Sequence, residues 1–135
     1  MKATDIAFVK LVGIEQNENE LSLAYKKDVQ NHINTIHASA QFTLAETQSG
    51  LHLQNLFPDL EGKVIPLLRE SNMKYKKPAL KNITAFAEVK EEDKAKFIEQ
   101  FARKGRASLS VYVEVKDSDG ICTAQGIFGW FISNI

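Results

Sequence analysis

The chain has 135 residues, room for one domain spanning 1–135 and not for a separate catalytic and regulatory pair. Apolar residues make up 44% and charged residues 25%, a globular balance that excludes a disordered chain. Seventeen Lys+Arg offset seventeen Asp+Glu, which excludes a broad electrostatic pull toward nucleic acid or an anionic membrane.

The N-terminal stretch MKATDIAFVKLVG has no long apolar core and no small-residue cleavage site, so it does not read as a signal peptide. No apolar run approaches the roughly 18 residues of a membrane span. The expectation is a cytoplasmic chain. Residues 6–14 read as a first strand: Ile6, Phe8, Val12 and Ile14 share one parity, and Ala7, Val9 and Leu11 the other. After the polar turn Gln16-Asn17-Glu18-Asn19, the alternation of Leu21, Leu23 and Tyr25 with Ser22, Ala24 and Lys26 predicts a second strand and a hairpin.

From Gln30 to Pro58 the composition changes. The stretch has no Lys, Arg or Asp, and Glu46 is its only carboxylate; His32, His37 and His52 are its other ionisable groups. The spacing predicts a helix over about 36–55, with Asn34 or Thr35 as N-cap and Pro58 barring extension. A surface helix carries charges on its outer face. This one lacks them and should be largely enclosed.

Residues 64–77 form a third extended segment, an edge strand or irregular at Pro66. Residues 83–89 alternate as a fourth strand. A short amphipathic helix follows over about 92–104, with acids at its start, Arg103 and Lys104 at its end, and Gly105 as its stop. Residues 109–115 alternate as a fifth strand, Asp117-Ser118-Asp119-Gly120 turns the chain, and 121–132 form a sixth strand, apolar on both parities and therefore expected to be central. Cys122, the only cysteine, excludes a disulfide framework and a multi-cysteine zinc site; within an apolar strand it reads as an inert thiol, and it fits a reducing compartment. Two strands, an uncharged helix, then four strands with one inserted helix predict an α+β fold: a mostly antiparallel six-stranded sheet around one long helix.

Glu46 is the first candidate for chemistry, because buried carboxylates are rare unless paired or functional. At about 100° per residue, Ser39, Thr43, Ser49 and Gly50 fall within about 60° of it, a small-residue patch that a ligand can approach. A carboxylate hydrogen-bonded to Ser39, Thr43 or backbone, with no chemistry, is the plain alternative. His37 lies near the helix start, where free N–H groups can hold an oxyanion. It falls on nearly the opposite side of the wheel from Glu46, and it is equally readable as a capping or packing residue. No His/Asp/Glu spacing resembles a metal site. Lys74, Lys76, Lys77 and Lys81 form one basic cluster able to bind phosphate. Lys94, Lys96, Arg103, Lys104 and Arg106 form another, read as ordinary surface. No nucleophile elbow, Walker loop or dinucleotide fingerprint is present.

Asn31-His32-Ile33-Asn34-Thr35-Ile36-His37-Ala38-Ser39-Ala40-Gln41-Phe42-Thr43-Leu44-Ala45-Glu46 resembles the motif N-x-x-G-x-x-H-G-G-x-x-x-x-L-A-D of hotdog-fold acyl-CoA thioesterases of the phenylacetate type. Asn31, His37, Leu44, Ala45 and the acid fall at the family spacing. Met73 to Ala79, Ile83 to Val89 and Val111 to Gly129 resemble its later strands. The motif's glycines are replaced by Asn34, Ala38 and Ser39, and its Asp by Glu46, as in an uncharacterised thioesterase-like branch. The resemblance implies a hotdog fold and hydrolysis of acyl-CoA, with no cofactor and no metal. It implies a carbonyl polarised by the N–H of Ala38 or Ser39, Glu46 as base or nucleophile, Asn31 orienting water or carbonyl, and a part for His37. Thr43 and Ser49 would hydrogen-bond the carboxylate, and Lys74, Lys76 and Lys77 would meet the CoA phosphates. It implies a homodimer or dimer of dimers with Glu46 supplied across the interface. The alternative is a non-catalytic hotdog protein that binds an acyl or lipid-like ligand.

Overall fold

The computed structural model describes residues 2–135. Burial alternates along β5 (Arg106–Asp117): Ala107, Leu109, Val111, Val113 and Val115 all turn to one side and are buried. Period-2 burial of this kind defines a sheet with one covered face. The other strands are β1 (Glu15–Asn17), β2 (Glu20–Leu23), β3 (Val64–Tyr75), β4 (Ile83–Glu88) and β6 (Cys122–Asn134). They form one six-stranded sheet in the order β1-β2-β4-β5-β6-β3, with every neighbouring pair antiparallel.

The covering element is α2 (Ala38–Leu56), which packs against β2, β4, β5 and β6. Leu44, Ala45, Leu51 and Leu53 supply its apolar contact. Its two buried glutamines are satisfied across the interface. Gln48 Oε1 accepts from Leu21 N at 2.9 Å and its Nε2 donates to Asn19 O at 3.0 Å; Gln41 Oε1 accepts from Thr123 Oγ1 at 2.9 Å. Neutral amides paired this way cost far less to bury than charges do, which accounts for the missing Lys, Arg and Asp. Sheet and central helix together form the hotdog fold that the motif implies. The enclosure of α2 is incomplete, however: Phe42, Thr43, Glu46 and Gly50 are only half-buried and Ser39 is exposed, so one stripe stays open.

Several expectations are corrected. Residues 6–14 are not a strand: α1 (Ala7–Val12) stands there, closed by Gly13 in the left-handed region at φ 90°. Apolar residues on both parities fit a strand or a helix equally well, and here Val9 is buried while Phe8 and Leu11 stay exposed. The N-cap of α2 is His37, not Asn34 or Thr35. The chain is still extended there (φ −58°, ψ 139°), with Ile36 N bound to Ala79 O and His37 N to Val29 O. Asn34 instead sits at φ 62° in the preceding turn. The sixth strand is interior but lies beside the edge strand rather than at the centre.

That edge strand is β3, paired only with β6, which is why Pro66 is tolerated in it. The amphipathic helix, α3 (Glu91–Lys104), packs on β5 and ends at Gly105 with φ 70°. Its buried Phe97 lies 5.0 Å from the Phe57 ring at the end of α2 and 5.5 Å from Phe101. No helix among the described residues is long and apolar enough to cross a membrane.

Candidate functional site

The open stripe of α2 is the floor of a cavity of about 620 Å³. Phe42, Thr43, Glu46 and Gly50 line the floor, and Ala38 and Ser39 the end at the helix start. Ile6, Phe8 and Val9 of the N-terminal segment form one wall, and Tyr75 and Trp130 the other. Phe42 is braced from behind by the buried Phe128, ring centroids 5.6 Å apart. The walls came from positions that periodicity cannot single out. Trp130 and Tyr75 reach the cavity only because β6 and β3 pair side by side, and the α1 wall was hidden by the strand reading.

Glu46 is the only ionisable group on that floor. No hydrogen bond or ion pair reaches its carboxylate among the described residues, and burial pushes its pKa up from the ordinary carboxylate range. The hydroxyls around it bond elsewhere. Thr43 Oγ1 donates to Ser39 O at 2.9 Å, Thr47 Oγ1 to Thr43 O at 2.6 Å, and Ser49 Oγ to the Glu46 carbonyl oxygen at 2.6 Å. Back-bonding to a carbonyl three or four residues earlier is the usual habit of Ser and Thr in helices. Thr43 and Ser49 therefore donate their protons to backbone, and the carboxylate is left without a donor.

The helix start is built by its loop. Asn31 Oδ1 accepts from Ile33 N and Thr35 N, both at 3.1 Å, and its Nδ2 donates to Thr35 Oγ1 at 2.8 Å. Asn31 thus holds the turn and keeps one amide hydrogen in reserve. His37 Nδ1 accepts from Ser39 N at 2.9 Å, which places the hydrogen of the neutral ring on Nε2. With the Ser39 N–H engaged, the N–H of Ala38, first residue of the helix, is the exposed donor that bonds nothing among the described residues.

A second cavity of about 280 Å³ adjoins the first through Ala38 and Tyr75, and Asn31, Lys76, Lys77 and Pro78 line it. The N–H groups of Lys76 and Lys77 both donate to Thr123 O, at 2.8 and 3.2 Å, which fixes the chain just past the end of β3. Lys74 is placed apart from them. It lies on the far face of the sheet, in a groove with Asn72, Glu114 and Gln125. Lys81 pairs with Asp119, away from both cavities. His52 lies in a separate hollow beside Glu18 and Glu20, where burial lowers its pKa. Cys122 is half-buried, its Sγ 3.3 Å from Ala124 O. Among the described residues no group of three or more His, Cys, Asp or Glu is arranged to hold a metal ion.

The family model described as "Domain of unknown function (DUF4442)" matches residues 7–132. No curated protein matches the chain. Solved structures do. A Pseudomonas aeruginosa protein described as a probable thioesterase superposes with a TM-score of 0.83 at 23% identity, over 98% of this chain and 91% of that one. A Bacillus halodurans protein solved with CoA gives 0.72 at 24% identity, over 93% and 74%. A thioesterase from Haemophilus influenzae gives 0.76 at 16%, over 97% and 85%.

Proposed function

The chain belongs to the DUF4442 family and has the hotdog fold, and on that premise we propose that it hydrolyses acyl-CoA thioesters. The observation that carries the reading is the Glu46 carboxylate, desolvated and reached by no hydrogen bond, on the floor of a mainly apolar cavity; the free N–H of Ala38 lies at the far end of that cavity, at the helix start. The thioester carbonyl accepts from the Ala38 N–H, which stabilises the oxyanion as it develops. Glu46 takes a proton from water, and the resulting hydroxide adds to the carbonyl carbon. Collapse of the tetrahedral adduct breaks the C–S bond, and the proton on Glu46 passes to the departing thiolate. Asn31 and His37 hold the turn that aims the Ala38 N–H. Lys76 and Lys77, beside the adjoining cavity, take the CoA phosphates; the solved relative with CoA supports a ligand of that kind.

Eight residues separate Ala38 from Glu46, a rise of about 12 Å along the helix. That is too far for both to serve one carbonyl, so each site takes its donor from one chain and its carboxylate from a second copy. The long free edge of β3 and the open stripe of α2 are the surfaces such a homodimer uses, and a dimer of dimers builds on the same unit.

The test is release of free thiol from short, long and aromatic acyl-CoAs, by wild type and by Ala38→Pro. Proline is favoured at the first helical position, and the residue before it must be extended, as His37 is. The substitution therefore deletes one N–H and leaves the helix. Loss of one such donor costs about 10²–10³ in turnover. Undiminished turnover by Ala38→Pro removes the oxyanion role. Absence of hydrolysis with retained acyl-CoA binding makes the protein a non-catalytic acyl binder.

A further inference from the structure

Trp130 is the only tryptophan of the chain, and it stands in the wall of the cavity against Gly50, the residue one helical turn past Glu46. Its Nε1–H donates to Ser49 Oγ at 2.9 Å, and Ser49, fully buried, donates onward to the Glu46 carbonyl oxygen at 2.6 Å. This chain of hydrogen bonds ties the wall to the turn that carries the carboxylate. Gly50 gives the indole its place: a Cβ there would stand 3.3 Å from Cζ2 and 3.4 Å from Cη2 of Trp130. The six-membered ring thus lies against bare helix backbone. Around it the lining is Phe8, Phe42 and Tyr75, and the Thr43 and Thr47 hydroxyls have already given their protons to backbone. A negative charge on a ligand at this depth meets no cation and lies beside the Glu46 carboxylate.

We infer that Trp130 is the residue that gauges the acyl group, held at a fixed distance from the reacting carbonyl by Ser49 and Gly50. It admits apolar acyl groups up to the plane of the indole, and it disfavours those that are longer or that carry a negative charge beside it. The inference rests on the thioesterase reading for the identity of the ligand, and it concerns the size and polarity of what is accepted.

The experiment compares wild type, Trp130→Ala and Gly50→Ala on straight-chain acyl-CoAs of increasing length, read as kcat/KM. The same series of non-hydrolysable thioether analogues is read by calorimetry. In wild type, the emission of Trp130 should also shift on saturation. Trp130→Ala should move the optimum to longer chains, changing the ratio of long to short substrates by about tenfold, the worth of two methylenes. Gly50→Ala pushes the indole into the cavity and should move the optimum to shorter chains. Alanine is the better helix former, so this variant stays folded if Trp130→Ala does not. An acyl group of equal length that ends in a carboxylate should bind about tenfold more weakly or worse, since its charge is buried without a cation. Hydrolysis with an unmoved length preference in folded Gly50→Ala overturns the gauge and leaves thioesterase activity standing. Binding without hydrolysis, with a preference that moves, supports the gauge and overturns the thioesterase reading. Analogues that neither bind nor alter the emission overturn both.

Discussion

At Glu46 the decisive quantity is the energy of a charge with no partner. Burial raises its pKa, so the folded chain holds the proton more tightly than the unfolded chain does. The stability contributed by the neutral form is complete below the ordinary carboxylate range and is lost as pH rises through the raised value. Glu46→Gln is neutral throughout. It should melt above wild type at neutral pH, and the difference should close as pH falls below the carboxylate range. Its turnover should drop by about 10²–10⁴, the usual worth of a positioned base. In wild type the acid limb of kcat/KM should lie above the ordinary carboxylate range, because the base must be ionised to act. Scanning calorimetry and a pH–rate profile check these together; a melting point below wild type at neutral pH would show that the carboxylate has a partner after all.

Elements were legible where one physical signal dominated. Alternation gave β2, β4 and β5, and the absence of charge gave α2, because burial forbids unpaired charge whatever the tertiary detail. The hairpin was only half legible, since its first strand, β1, falls largely on residues that read as the turn. Residues 6–14 failed because an apolar run on both parities has no period to read, and with them went one wall of the cavity. Glu46 itself was legible, since it is the lone acid in a charge-free helix. Its surroundings were only half so: the hydroxyl patch was found, but whether each hydroxyl faces the carboxylate or a backbone carbonyl is settled by rotamer. Lys74 and Lys76 look alike in sequence. They part because β3 ends at Tyr75, so alternation no longer governs the next residue. The cap of α2 was misplaced because the loop before it is held extended by Ala79 and Val29, distant in sequence.

Two predictions belong to the elements. His37 accepts from Ser39 N as an N-cap does, so His37→Ala should cost about 1 kcal/mol of stability, while His37→Asn, which also caps, should cost only a few tenths. Urea denaturation measures both, and equal losses would mean that the imidazole contributes something other than the cap. At the segment after β3, changing Lys76 and Lys77 together to Gln should raise KM for acyl-CoA far more than it lowers kcat, because phosphate contacts are alike in ground and transition states. The effect should shrink at high salt. An unaltered KM at low ionic strength returns both lysines to ordinary surface.

For the whole molecule, the two edges of the sheet differ. β1 is three residues long and offers little to pair with, whereas β3 presents twelve residues with Ile65, Leu67 and Tyr75 about half exposed. Long exposed edges are places where chains add to one another. A two-fold homodimer at micromolar concentration is the expected result of sedimentation, and active preparations containing only monomer would remove it. Mixing Glu46→Gln with Ala38→Pro tests the sharing of sites. Each heterodimer then holds one site with both defects and one intact site. Random exchange makes half the dimers mixed, so activity should recover to about a quarter of wild type. Two groups that act within one chain would give no recovery.

The free edge of β3 also governs how the protein can change over generations. If it meets its own copy across a two-fold axis, each substitution there enters the interface twice. A change such as Leu67→Lys that weakens one side tenfold weakens the homodimer about a hundredfold, but a mixed dimer with the parent chain only tenfold. New variants of this edge are thus sheltered while the parent chain is abundant and exposed to the full penalty once they are alone.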